Sequence, residues 1–216
     1  RLRRLDVSNA LKAPGVLSVL TGSDLIKEDF GNIRPLARLK RADGSDNFVP
    51  PYGMLAIDEV RHVGEIIAMV VAENVLQADA ALELIELEIE PIPSVTDIVQ
   101  ATASDAVAVW PEEPTNICFV ERLGDAARSD LSFAQAAYIV EETFIISRVA
   151  ASPMETRSAI GIHEPVDNSY TLYAGLQTPH IVRNEIASQL LGIAPDKLRI
   201  ISPDVGGGLG LKASVQ

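Results

Sequence analysis

Gly206-Gly207-Gly208-Leu209-Gly210 places four glycines in five residues, directly after Pro203-Asp204-Val205 and the apolar stretch Leu198-Arg199-Ile200-Ile201. Glycine carries no Cβ and accepts positive backbone angles, so such a run can bring bare N–H groups up to a phosphate or another anion. A tight turn beside a crowded neighbour would use the same residues. Two phosphate motifs are excluded. A Walker loop needs Gly-Lys-Ser/Thr, whereas Lys212 lies between Leu211 and Ala213, and a dinucleotide fingerprint needs a sixth-position glycine where Leu211 stands.

Other reactive side chains are scattered. His62, His163 and His180 lack zinc-ligand spacing and read as surface or half-buried histidines. Cys118 is the single cysteine, which rules out an internal disulfide and any Cys-based iron–sulfur site within this sequence. No Gly-x-Ser-x-Gly elbow is present, and Glu83, Glu86, Glu88 and Glu90 read as solvated faces. With 30 acidic against 18 basic residues the formal net charge is -12, so a nucleic acid partner is not expected, and Arg1, Arg3 and Arg4 read as a solvated end. Hydrophobic residues make up 47% of the chain, enough for a core. A mean hydropathy of +0.18 alongside 22% charged residues suggests apolar surface meant for something outside it.

The elements that must position the glycine run can be read from periodicity. Val16–Leu20 reads as a buried strand, and Thr21-Gly22-Ser23-Asp24 starts a helix. Residues 27–53 read as a long loop. Ile66–Ala72 is the longest apolar run, the pattern of a strand covered on both faces and far below the ~20 residues that span a bilayer. Asn74 can cap a helix with Ala78, Ala81, Leu82 and Ile85 on one face, and Glu86–Glu90 then alternates as a half-exposed strand. Together these predict a strand–helix–strand unit within a small α/β domain over residues 1–93. Residues 94–128, with Trp110-Pro111-Glu112-Glu113-Pro114, read as a linker, and 129–216 as the beginning of a second domain. There the pattern predicts a short helix around Leu131, Ala134 and Ala137, a long strand over 138–149, strands at 159–163 and 170–174, and an amphipathic helix from Ile181 to Leu191. Nothing after Gly206 offers an element for the glycine run to pack on, which predicts a mobile loop. The sequence begins at Arg1 and stops six residues after the run, so it is expected to be a piece of a longer chain. Without a signal segment or membrane span, a cytoplasmic protein is the expectation.

Several motifs in order carry a resemblance. Pro203–Lys212 resembles the Pro-Asp-Val-Gly-Gly-Gly-Phe-Gly-x-Lys signature of molybdenum hydroxylase large subunits, the xanthine dehydrogenase, aldehyde oxidase and carbon monoxide dehydrogenase family. Gln177-Thr178-Pro179-His180 with Arg183 is similar to that family's Gln-x-Pro-His stretch, and Pro153-Met154-Glu155-Thr156-Arg157 to its Pro-Met-Glu-x-Arg segment. Ala13–Val16, Leu20–Asp24, Leu55-Ala56, Val63–Glu65 and Val70–Glu73 follow in the order of its hammerhead domain.

The resemblance implies an α+β fold, a small α/β hammerhead domain followed by the first part of a molybdopterin-binding α+β domain. It implies hydroxylation of an aldehyde or N-heterocycle, or oxidation of carbon monoxide, with water as oxygen source. Gln177 would point its amide toward the molybdenum centre, and the backbone of Gly207, Gly208, Leu209 and Gly210 would lie against the cofactor. No catalytic residue and no protein ligand to the metal is expected in this segment. The complete enzyme would hold molybdenum–molybdopterin, as such or as the cytosine dinucleotide, with FAD and 2Fe–2S clusters on partner subunits or segments. It would be an oligomer with those iron–sulfur and FAD subunits and would act on a small molecule. Leu209 stands where the family carries Phe, and no Glu follows Lys212, so xanthine-type substrate orientation by that Glu is not available. The rival reading is a truncated remnant or subunit-interaction fragment without activity of its own.

Overall fold

The computed structural model describes residues 1–35, 39–41, 43–147 and 149–215. Seven strands and four α-helices are found among them: β1 (Leu2–Asp6), β2 (Val16–Thr21), α1 (Gly22–Lys27), β3 (Ala68–Ala72), α2 (Val75–Leu82), β4 (Glu86–Ile89), α3 (Ala126–Gln135), β5 (Ala159–Glu164), β6 (Ser169–Ala174), α4 (Pro179–Glu185) and β7 (Leu198–Ile201).

The predicted helix starts are built as their capping residues suggest. Thr21 and Asp24 form a reciprocal capping box on α1, the Thr21 N–H donating to Asp24 Oδ2 at 3.0 Å. The Asn74 side chain accepts the Gln77 N–H at 3.0 Å at the start of α2. These side chains satisfy N–H groups that the first helical turn leaves without a partner.

The expected strand–helix–strand succession is present as β3, α2 and β4, and the pairing shows where its strands go. β3 runs antiparallel to β2, with Val19 opposite Val70, and β4 runs antiparallel to β1, with Leu5 opposite Leu87. β3 and β4 therefore sit in different two-stranded sheets and do not flank one crossover. The apolar pattern fixed which residues are strands, but β1 and β2 supply the hydrogen-bonding edges that choose their partners. The reading of β3 as covered on both faces also fails. Ala68, Val70 and Ala72 are partly buried, whereas Met69 and Val71 are exposed. Met69 opens onto a cavity of about 960 Å³ shared with Leu20, Ile33, Tyr52, Arg157 and Val215. The core of this part is small: Ala10, Val19 and Ala81 are buried, with Val7, Val16 and Ile85 packed against them.

The loop expected over 27–53 carries only isolated bridges among its described residues, Ile33 with Tyr52 and Lys40 with Asp46. It joins the two halves of the chain. Gly31 donates its N–H to the Leu190 carbonyl at 2.9 Å, and a Cβ on Gly31 would stand 1.6 Å from the Gln189 carbonyl oxygen, so only glycine fits that approach. Residues 110–118 lie against the first half: Arg61 stacks on Trp110 at 3.7 Å, Arg41 pairs with Glu113, and Phe48 donates its N–H to the Cys118 carbonyl.

In the second half β5, β6 and β7 form one sheet, β5 antiparallel and β7 parallel to β6. α4 starts at Pro179 and continues through one wider turn, Ile186–Leu190, placing Val182, Ala187 and Leu190 in the interior. The strand expected over 138–149 is absent among its described residues. Tyr138 and Ile145 are almost fully exposed, at 93% and 92%. β-branched residues make a strand only where a partner edge takes their hydrogen bonds, and here β5 pairs with β6 alone.

The close fit of α2 on β2 gives a first test. Ala81→Leu would push three carbons into a fully buried position and is expected to lower stability by about 1–3 kcal/mol. Chemical denaturation should show a lower midpoint with unchanged slope.

Candidate functional site

Strand direction brings the sequence's separate motifs to one place. Because β6 and β7 are parallel, with Tyr173 opposite Ile201, the segments that follow them leave the sheet at the same end. β5 is antiparallel, with Ala159 opposite Ala174, so the segment that enters β5 arrives there too. Three loops therefore meet: 152–158, 175–178 and 202–212. They carry Glu155 and Arg157, Gln177, and the glycine run.

Hydrogen bonds tie the loops together. Leu176 donates its N–H to Ser202 Oγ at 2.9 Å, and that hydroxyl donates to the Leu176 carbonyl at 3.1 Å. The Gln177 N–H donates to the Lys212 carbonyl at 2.9 Å. The Gln177 side-chain oxygen accepts N–H groups from Gly210 at 3.0 Å and Lys212 at 3.3 Å. Two backbone donors fix which end of the amide is oxygen, so the Gln177 NH₂ is left to other partners. The side chain as a whole is exposed.

Gly208 is buried against this glutamine; a Cβ there would stand 2.4 Å from Gln177 Oε1. Gly207 and Gly210 have φ of 108° and 88°, and Leu209 holds a left-handed φ of 49° with its side chain 76% exposed. Leu211 donates its N–H to the Gly208 carbonyl and Ala213 to that of Gly210. The N–H groups of Gly207, Gly208 and Leu209 make no hydrogen bond within the described residues. Consecutive backbone N–H groups without internal partners are what anion-binding turns use.

The site residues expected from the sequence, Gln177, Gly207, Gly208, Leu209 and Gly210, thus lie together. No element follows the loop among the described residues, but the loop has supports that come from upstream. Lys212 is buried at 1% exposure and forms an ion pair with Glu155, whose side chain is 37% exposed. Glu155 Oε2 also accepts the Gly206 N–H at 3.0 Å, and the Glu155 N–H donates to the Gly206 carbonyl at 3.3 Å. Arg157 donates to the Leu211 carbonyl, and the Thr178 hydroxyl to that of Ala213. Sequence reasoning gave Glu155 and Lys212 no role. Only the Pro-Met-Glu-x-Arg likeness singled out Glu155, and 57 residues separate the pair.

The remaining candidates stay outside this cluster. His62 stacks with Tyr52, and His163 stacks with Tyr170 and bonds to Asn168. Cys118 is exposed. Among the described residues no group of three His, Cys, Asp or Glu side chains could hold a metal ion, so what the site offers an anion is N–H and amide donors.

Comparison with known proteins places the chain among relatives of one kind. Residues 1–93 match the family model for the aldehyde oxidase and xanthine dehydrogenase a/b hammerhead domain, and residues 109–216 that for the molybdopterin cofactor-binding domain. The chain is 30% identical to the carbon monoxide dehydrogenase large chain of Afipia carboxidovorans over 98% of its own length and 26% of that protein's. It is 35% identical to the nicotine 6-hydroxylase large subunit of Paenarthrobacter nicotinovorans over 98% of its length and 25% of that subunit's. Among solved structures it superposes on quinoline 2-oxidoreductase from Pseudomonas putida 86 with a TM-score of 0.82 at 32% identity, covering 98% of this chain and 26% of that one. A Cu,Mo carbon monoxide dehydrogenase superposes with a TM-score of 0.80 at 28% identity, covering 99% and 27%. The chain spans about a quarter of the length of these relatives.

The clamp on the loop makes a pH dependence. Lys212, and after it the Gly206 N–H, hold the Glu155 carboxyl below its usual range. A carboxylate with a depressed folded-state value contributes fully above the ordinary glutamate range, and the contribution is lost as pH falls through the depressed value. Amide exchange at Gly206, corrected for intrinsic pH effects, should therefore stay slow from neutral pH down to the ordinary glutamate range. It should quicken below that.

Proposed function

The chain belongs to the molybdenum hydroxylase large-subunit family of xanthine dehydrogenases and aldehyde oxidases, and on that premise we propose that it forms the hammerhead domain and the first part of the molybdopterin-binding domain of such an enzyme. The reaction class is hydroxylation or oxidation of a small aldehyde, N-heterocycle or carbon monoxide with water as oxygen source. Further subunits or segments carry FAD and 2Fe–2S clusters and relay the electrons. The cofactor is molybdenum–molybdopterin or its cytosine dinucleotide, and the setting is a cytoplasmic oligomer. No helix among the described residues is long and apolar enough to cross a membrane.

The observation that carries this reading is the donor set at the three-loop junction. A pterin–metal group is anionic and bulky, and the junction fits it on three counts: unpaired N–H groups at Gly207, Gly208 and Leu209, a Gly208 position that admits no side chain, and an amide anchored through its oxygen. When bound, the group supplies the metal centre at which water becomes the oxygen donor and the substrate's electrons are taken up. The residues of this chain bind and orient. The glycine-run N–H groups would hold the anionic group, and the Gln177 NH₂ would offer it an uncharged donor. Leu209 places a flexible aliphatic side chain where relatives carry a ring. Proton transfer and substrate selection fall to residues outside positions 1–216.

Two measurements test the reading. The full-length chain carrying this sequence should purify with stoichiometric molybdenum and pterin, whereas residues 1–216 expressed alone should carry neither; a full-length chain without them would sink the reading in favour of a remnant. For the role of Gln177 the informative substitution is Gln177→Glu, since Gln177→Ala would also release the Gly210 and Lys212 N–H groups. Gln177→Glu keeps an acceptor and removes the donor. Turnover per bound molybdenum should fall on the order of a hundredfold, and an unchanged value would count against the assignment.

A further inference from the structure

Lys212 is the one large side chain among the described residues that is buried below 2% exposure. An ammonium group is rarely buried without a partner. Its partner, Glu155, does more than neutralise it. Glu155 accepts the N–H and meets the carbonyl of Gly206, the first glycine of the run, and a Cβ on Gly206 would stand 2.8 Å from the Glu155 Cβ. One glutamate thus fixes Gly206 at the start of the run and Lys212 just past its end. Between these two fixed points lie the three N–H groups without partners and the left-handed Leu209. A non-glycine residue in that conformation persists only where its surroundings over-determine it.

We propose that Glu155 and Lys212 are positioning residues that preform the glycine run, holding the Gly207, Gly208 and Leu209 N–H groups ready for an anionic group before that group arrives. The proposal rests on the reading of the junction as the cofactor site. Replacing a buried ion pair by well-packed apolar side chains is often neutral for stability, so stability alone is a weak reason for one. This pair instead brackets the donors, and Arg157 from the same upstream loop holds the Leu211 carbonyl between them. Preorganisation keeps the loop from having to order itself when the ligand binds.

The test uses the full-length chain in cofactor-free and loaded forms, with Lys212→Met, Glu155→Gln and the double substitution. Glu155→Gln keeps its shape and an oxygen for the Gly206 N–H, and it decides the matter if Lys212→Met fails to fold. In the cofactor-free protein, amide exchange at residues 207–211 should quicken by roughly tenfold or more while β6 and β7 amides are unchanged. Molybdenum and pterin content under limiting cofactor supply should fall, and the paramagnetic signature of the metal in the loaded fraction should shift. The double variant should be no worse than either single one, as for groups acting as a unit. Unchanged loop exchange in Glu155→Gln, or equal acceleration throughout β6 and β7, would overturn the proposal. If loop exchange quickens but the native full-length chain holds no molybdenum or pterin, the functional reading fails while the clamp stands. A native chain that is loaded, with variants indistinguishable from it, defeats the clamp alone.

Discussion

The parallel pairing of β6 with β7 is the constraint on which the site depends. Parallel strands end on the same side, and a third strand entering antiparallel begins there, so three loops far apart in sequence have no choice but to meet. The Ser202 hydroxyl, bonded in both directions to Leu176, then locks two of the loops together immediately beyond the sheet. The first half of the chain is built differently, as two antiparallel pairs, with Ala10, Val19 and Ala81 buried where the turn after β1, the β2–β3 pair and α2 meet. Its small buried residues allow close approach rather than a deep apolar interior. It reaches the second half through the Gly31–Leu190 contact, where the backbone approach leaves no room for a side chain.

At the junction the polar groups are arranged in two tiers. The inner tier consists of main-chain donors and the Gln177 amide, whose oxygen is already engaged by Gly210 and Lys212. Behind it stand Glu155, Lys212, Arg157 and Thr178, which touch carbonyls and N–H groups of the loop. Lys212 is fully buried while the Glu155 carboxylate keeps contact with solvent, so the pair escapes part of the desolvation that a wholly buried pair would suffer and is also partly screened. Its importance therefore lies in geometry more than in raw stability.

Much apolar surface is left open. Ile145, Ile146 and Val149, together with Ile160 and Ile162 on β5, stand largely in solvent, as the positive mean hydropathy suggested. The chain spans about a quarter of its relatives' length, and among the described residues many of the most fully uncovered apolar side chains, Tyr138, Val140, Phe144, Ile145, Ile146 and Val149, lie in the segment 138–149.

Local pattern in the sequence was enough to determine the elements whose cause is local. The helix starts at Thr21 and Asn74 follow from capping side chains a few residues away, and β2, β5, β6 and α4 follow from periodicity and turn residues. The glycine run announced a turn with unusual backbone angles, and the ordered motifs identified the family. Tertiary structure decided what depends on distant partners. β3 and β4 went to separate sheets because β1 and β2 offered the edges, and 138–149, despite its β-branched residues, pairs with nothing among the described residues. The glycine loop, which looked unsupported, is held by residues 33 to 57 positions upstream. Periodicity reports which face of an element is apolar; it carries no information about which charge or strand edge, tens of residues away, the fold will bring against it.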